Sequence, residues 1–128
     1  MFLGNFNVAN SVANENIPIN TLISTNRKIV NNTNRNVLEL RQAGIYNIDG
    51  WITITGTATT GSVDLYEDEN YRDSIAFTIS ADNAPVTVPI VDAVRAIIAK
   101  YPETANISLR VSEGGLSLTG VLRAEYLQ

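Results

Sequence analysis

Tyr46-Asn47-Ile48-Asp49-Gly50-Trp51-Ile52-Thr53-Ile54-Thr55 decides the fold class. Tyr46, Ile48, Ile52 and Ile54 share one side of an extended chain with Gly50. Asn47, Asp49, Trp51, Thr53 and Thr55 share the other. Successive side chains of a strand point to opposite faces, so a period of two describes a strand with one buried side.

Downstream, Gly56 to Gly61 reads as a Thr/Gly turn. Val63 and Leu65 then point inward from a strand that breaks at Glu67-Asp68-Glu69-Asn70, and Ser74 to Ser80 returns with Ile75, Phe77 and Ile79 inward. The two read as a hairpin with a four- to five-residue loop. Asp82-Asn83-Ala84-Pro85 turns the chain again, and Val86, Val88 and Ile90 alternate in a strand that Pro89 confines to an edge or an end. Ile107, Leu109 and Val111 form another strand, Gly114-Gly115 a turn, and Leu116 to Leu127 closes the sheet. Residues 91–102 read two ways. Asp92 can cap a short helix through Val94, Ile97 and Ile98 that Pro102 ends, or a strand can continue through Arg95 to Ala99. The alanine content favours the helical turn.

Upstream the pattern weakens. Eleven of the fifteen asparagines lie between Asn5 and Asn36, and asparagine favours turns because its side chain bonds nearby backbone and tolerates positive φ. Residues 1–20 read as an N-terminal arm and residues 21–128 as the folded domain, beginning with one or two short strands before Val37, Leu38 and Leu40. About eight short strands with turns between them indicate a sandwich or barrel.

Composition narrows the chemistry. The 128 residues contain no cysteine and no histidine. Disulfides, thiolate metal sites and cysteine nucleophiles are excluded, as are the Ser-His-Asp triad and His-ligated metals. No enzyme and no cofactor are expected. A net charge of -4 with nine scattered Lys and Arg gives no attraction for phosphate backbones, so no nucleic-acid partner is expected. No apolar run approaches the roughly 18–20 residues that span a bilayer, and Met1-Phe2-Leu3-Gly4-Asn5-Phe6 lacks the features of a signal peptide. No membrane partner is expected either.

Leu40-Arg41-Gln42-Ala43-Gly44-Ile45-Tyr46-Asn47-Ile48-Asp49-Gly50 resembles the Gly-x-Tyr strand that leads into the central sheet of C1q/TNF-like jelly rolls. Val63 to Asn70 resembles the hairpin that follows it, and Leu116-Ser117-Leu118-Thr119-Gly120-Val121-Leu122 the family's last strand near a threefold axis. Leu122-Arg123-Ala124-Glu125-Tyr126-Leu127 is closest in character to short jelly-roll proteins of tailed phages, which look like virion decoration or head-fibre components. The resemblance covers roughly residues 37–127. It implies an all-β jelly-roll sandwich with an extended N-terminal arm, forming a homotrimer. It also implies a place on the virion surface after assembly in the host cytoplasm, with the major capsid or another virion protein as partner. The alternative is a glycan- or receptor-binding trimeric module, either a phage adhesin or a bacterial or spore surface protein.

Four residues are candidates for the subunit interface: Trp51, Leu122, Tyr126 and Leu127. Trp51, on the polar side of its strand, has three readings: stacking on a sugar, sitting between subunits, or covering the domain against the arm. Phe2, Leu3 and Phe6 are apolar residues in a polar segment, and either pack back on the domain or dock the arm into a neighbour. Asp64, Glu67, Asp68, Glu69 and Asp73 cluster, but without the Asp-x-Asp-x-Asp-Gly order of a calcium loop and with Arg72 among them. A solvated hairpin tip is the expected reading, and it leaves no raised carboxyl pKa for glycoside hydrolysis.

Overall fold

Alternation in the sequence becomes ten strands in the computed structural model, which describes residues 1–25, 27–98 and 103–128. They are β1 (Phe2–Val8), β2 (Asn20–Ser24), β3 (Ile29–Asn32), β4 (Val37–Leu40) and β5 (Gly44–Thr55). After these come β6 (Thr59–Glu67), β7 (Asn70–Ile79), β8 (Val86–Ala96), β9 (Ala105–Val111) and β10 (Ser117–Tyr126). They form two five-stranded antiparallel sheets, one in the order β2-β1-β10-β5-β8 and the other β3-β4-β9-β6-β7. The result is a jelly-roll sandwich, with no helix among the described residues.

The inner faces supply one core. Tyr46, Ile48, Ile52 and Ile54 of β5 are fully enclosed, as are Leu38 and Leu40 of β4 and Ile107 of β9. The expected inward residues of the hairpin agree: Val63, Leu65, Phe77 and Ile79 are buried, with Ile75 packed against them. Pro89 lies on β8, an edge strand, where its missing N–H costs no ladder bond.

Residues 1–20 are not an arm. β1 is hydrogen-bonded between β10 and β2, with Phe2 opposite Ala124 and Phe6 opposite Gly120. Phe2 and Phe6 are 1% and 2% exposed. The segment after β1 crosses to the second sheet: the Ile17 amide donates to the Leu109 carbonyl (2.8 Å) and the Asn14 amide to that of Val111 (2.9 Å). Ile17 and Ile19 close the core beside it. Asparagine-rich sequence hid a strand whose apolar positions, Phe2 and Phe6, are separated by Gly4 rather than by a third large residue. At Gly4 a Cβ would lie 2.7 Å from Ile19 Cγ2, so the inner face has no room for a side chain there.

Two further expectations are corrected. The helical turn proposed from Asp92 does not form: β8 runs on as a strand to Ala96, with Val94 and Ala96 buried and Ala93 and Arg95 exposed. Pairing along β5 as far as Gly44–Ala96 outweighs the helix propensity of alanine. The rest of that question, residues 99–102, lies outside the described residues. The β6–β7 loop has two residues rather than four or five. Asp68 and Glu69 both take positive φ (51° and 67°), the type I′ geometry that matches strand twist. Asp68 is anchored there, its carboxylate accepting from the Asn106 amide N–H at 2.9 Å and from Asn106 Nδ2 at 3.2 Å.

Glu39, on the outer side of β4, accepts from Asn32 Nδ2 (3.0 Å) and Arg41 Nη2 (2.9 Å). The Asn32 bond, then Arg41, hold its carboxyl below the ordinary carboxylate range, against an opposing effect of burial. A depressed folded pKa stabilises the fold above the unfolded value, and that contribution is lost as pH falls through the folded one. Denaturant titrations at acid pH are therefore expected to show a shallower pH dependence for Glu39→Gln than for the parent.

Because β1 is structural, deleting residues 1–20 is expected to abolish the cooperative thermal transition. Phe6→Ala is expected to cost about 3–5 kcal/mol by chemical denaturation. A truncated chain that melts like the parent would restore the arm.

Candidate functional site

The outer face of the first sheet follows from its register. One row across the strands is Asn5 (β1), Val121 (β10), Trp51 (β5) and Pro89 (β8). The next is Ile23 (β2), Leu3 (β1), Arg123 (β10), Asp49 (β5) and Val91 (β8). Trp51 is 45% exposed, Ile23 43% and Val91 73%. Arg123 grips Asp49 with both ends of its guanidinium, Nε to Oδ1 at 2.9 Å and Nη2 to Oδ2 at 3.0 Å. Toward the β7 end of the sandwich a second clasp joins the two edges, as Arg72 bonds Asp92 on β8 (3.0 Å), the Ala93 carbonyl (3.0 Å) and Glu67 (3.1 Å). Exposed apolar side chains at Trp51, Ile23 and Val91 thus flank one ion pair on this face.

The backbones of β5 and β10 approach closely beside Trp51. A Cβ on Gly50 would lie 2.0 Å from the Val121 carbonyl oxygen, and one on Gly120 2.1 Å from that of Trp51. Only glycine admits a neighbouring carbonyl into that space. Gly120→Ala is accordingly expected to lower stability by about 1–3 kcal/mol or more, read by chemical denaturation. A neutral substitution would show that the strands can separate there without loss.

The sequence-derived interface residues divide. Trp51 and the half-exposed Leu127 are open to solvent, and the arm does not cover Trp51. Leu122 is fully buried within the chain and cannot contact a neighbour, because it stands on the inner side of β10. Tyr126 is held within its own chain: it meets Tyr46 edge-on (5.1 Å between centroids), carries Lys28 Nζ 3.9 Å from its ring centre, and accepts from Gln42 Nε2 at 3.2 Å. Of the three supposed docking residues, Phe2 and Phe6 are core, and Leu3 is half-buried on the outer face beside Arg123. Ile23, Val91 and Val121 were missed. Val91 could have been found by extending the alternation of Val86, Val88 and Ile90 by one residue.

The acidic cluster is dispersed over separate partners. Asp64 accepts from Ser74 Oγ (2.7 Å), Glu67 pairs with Arg72, Asp68 with Asn106, and Glu69 with Arg110. No group of three acidic side chains is placed to hold a metal among the described residues.

A second concavity lies on the other sheet. Asn14, Glu15 and Asn16 of the β1–β2 connection face Arg35 and Asn36 of the β3–β4 turn, with Glu69 and Arg110 beyond them. The depression is shallow and wide open to solvent. It adjoins a cavity of about 160 Å³ whose walls include Val8, Val12, Ile17, Pro18, Val111 and Leu118. Arg110 is fixed: its Nε donates to Asn16 Oδ1 at 2.9 Å, its Nη2 to Glu69, and its guanidinium carbon stands 4.0 Å over the Tyr66 ring.

Strand order and core define the class: a C1q/TNF-like jelly roll. No family model and no curated protein matches the sequence. Solved structures match the fold. Murine APRIL superposes with a TM-score of 0.65 at 7% identity, over 95% of this chain and 98% of that one. The PRD1 vertex protein P5 gives 0.64 at 13%, over 99% and 97%. Pika GITRL gives 0.55 at 12%, over 94% and 92%. At these identities what is shared is the fold.

Proposed function

We propose that this chain is a structural protein of a tailed-phage particle, forming trimers that sit on the virion surface as decoration or head fibre. The observation that carries the proposal is the outer face of the first sheet, where Trp51, Val91, Val121, Leu3 and Ile23 surround the Arg123–Asp49 pair. Covering this face with two further copies removes apolar area from water, and a threefold arrangement multiplies attachment to a particle. Likeness to a phage vertex protein supports the virion assignment, and likeness to TNF-family chains supports the trimer. Attachment through an N-terminal arm is no part of this reading, since β1 belongs to the sheet.

Light scattering is expected to give about three times the 13.9 kDa of one chain. A mass near 13.9 kDa at micromolar concentration would sink the trimer. Trp51→Asp with Val91→Asp is expected to dissociate the assembly while leaving the far-ultraviolet circular dichroism unchanged. A tryptophan at the centre of an interface contributes about 2 kcal/mol or more when it is a hot spot. Antibody to the chain should label purified virions in electron micrographs, and label confined to host debris overturns the virion assignment.

A further inference from the structure

We propose that the cleft between the β1–β2 connection, the β3–β4 turn and the β6–β7 tip binds a hydroxyl-rich saccharide. The proposal is independent of trimer formation. Arg110 lies on the outer side of β9, in the sheet opposite the assembly face, so the cleft stays open when that face is covered.

The donor set carries the proposal, on a shallow depression that is wide open to solvent. Arg35 and Arg110 are balanced by Glu15 and Glu69, so the lining carries no excess charge for a phosphate or other anion. What it offers is paired donors and acceptors. Among the described residues, the side chains of Asn14, Arg35 and Asn36 form no hydrogen bonds with the protein, and Arg110 has spent two of its N–H donors on Asn16 and Glu69. Amides and guanidinium forks suit vicinal hydroxyls, each of which donates and accepts. The adjoining cavity offers mixed walls, polar at Asn10, Ser11 and Asn36 and apolar at Val8, Ile17 and Leu118.

Amide chemical shifts of the full chain, followed by NMR with glucose, galactose and N-acetylglucosamine at up to about 50 mM, test the proposal over the millimolar affinities typical of weak sites. At least one sugar is expected to shift Asn14, Arg35, Asn36, Glu69 and Arg110 together. Arg35→Ala, which removes no described hydrogen bond, should weaken that binding roughly tenfold, the loss of one charge-assisted hydrogen bond, with melting unchanged. Trp51→Ala should leave it intact. The proposal is overturned if none of the three sugars shifts the cleft, if the shifts centre on Trp51, or if Arg35→Ala binds like the parent.

Discussion

The register of β10 between β1 and β5 is the constraint on which the rest of the molecule depends. β10 is the middle strand of its sheet and joins β1, at the start of the chain, to β5. Leu118, Leu122 and Ala124 face inward only while Gly120 opposes Ile52 and Phe6, and a slip of one residue would turn all of them to solvent. The glycines at 50 and 120 pin that register. Each accepts a carbonyl of the opposite strand where any other residue would place a Cβ.

From this register the character of the outer face follows. Once Leu118, Leu122 and Ala124 point inward, Val121 and Arg123 must point outward, beside Trp51 and Asp49. The same alternation that fills the core therefore sets an apolar pair and an ion pair side by side on the surface. An exposed ion pair adds little to the fold of a single chain. Enclosed by neighbouring copies it would act differently: two-point Arg–carboxylate geometry fixes orientation, and either charge alone would be costly to bury. The pair serves specificity in an assembly better than stability in a monomer.

How much of this was legible in the sequence depended on how many large apolar residues mark one side of a strand. β5 and β7 were readable because three or more do so, as in Ile75, Phe77 and Ile79. β1 was not, because only Phe2 and Phe6 mark its buried side, and Asn5 and Asn7 stand among the residues of the other. β8 was misread beyond Val91 because Ala93 and Ala96 carry helix propensity, while what holds them extended is pairing with β5, a partner some 50 residues away in sequence. Leu122 was placed at an interface by likeness to a last strand near a threefold axis, yet the parity of its position already put it with Leu118 on the inner side. The cleft was invisible for another reason. Its residues come from the β1–β2 connection, the β3–β4 turn, the β6–β7 tip and β9, and only the folded topology brings those four together.

Those segments meet because β4 is short. It pairs with β9 only from Leu38–Ile107 to Leu40–Ala105, leaving the Leu109–Val111 end of β9 without a strand partner on that side. Unpaired backbone in a sandwich must be satisfied somehow, and the β1–β2 connection does so at Asn14, Asn16 and Ile17. Asparagine suits that task, since it allows the chain to bend through positive φ at Asn14 and to bond sideways to Arg110 from Asn16. Asn14 and Asn16 thus have a structural cause: they satisfy the end of β9 that β4 leaves unpaired, and they contribute polar walls to the depression beside Arg110.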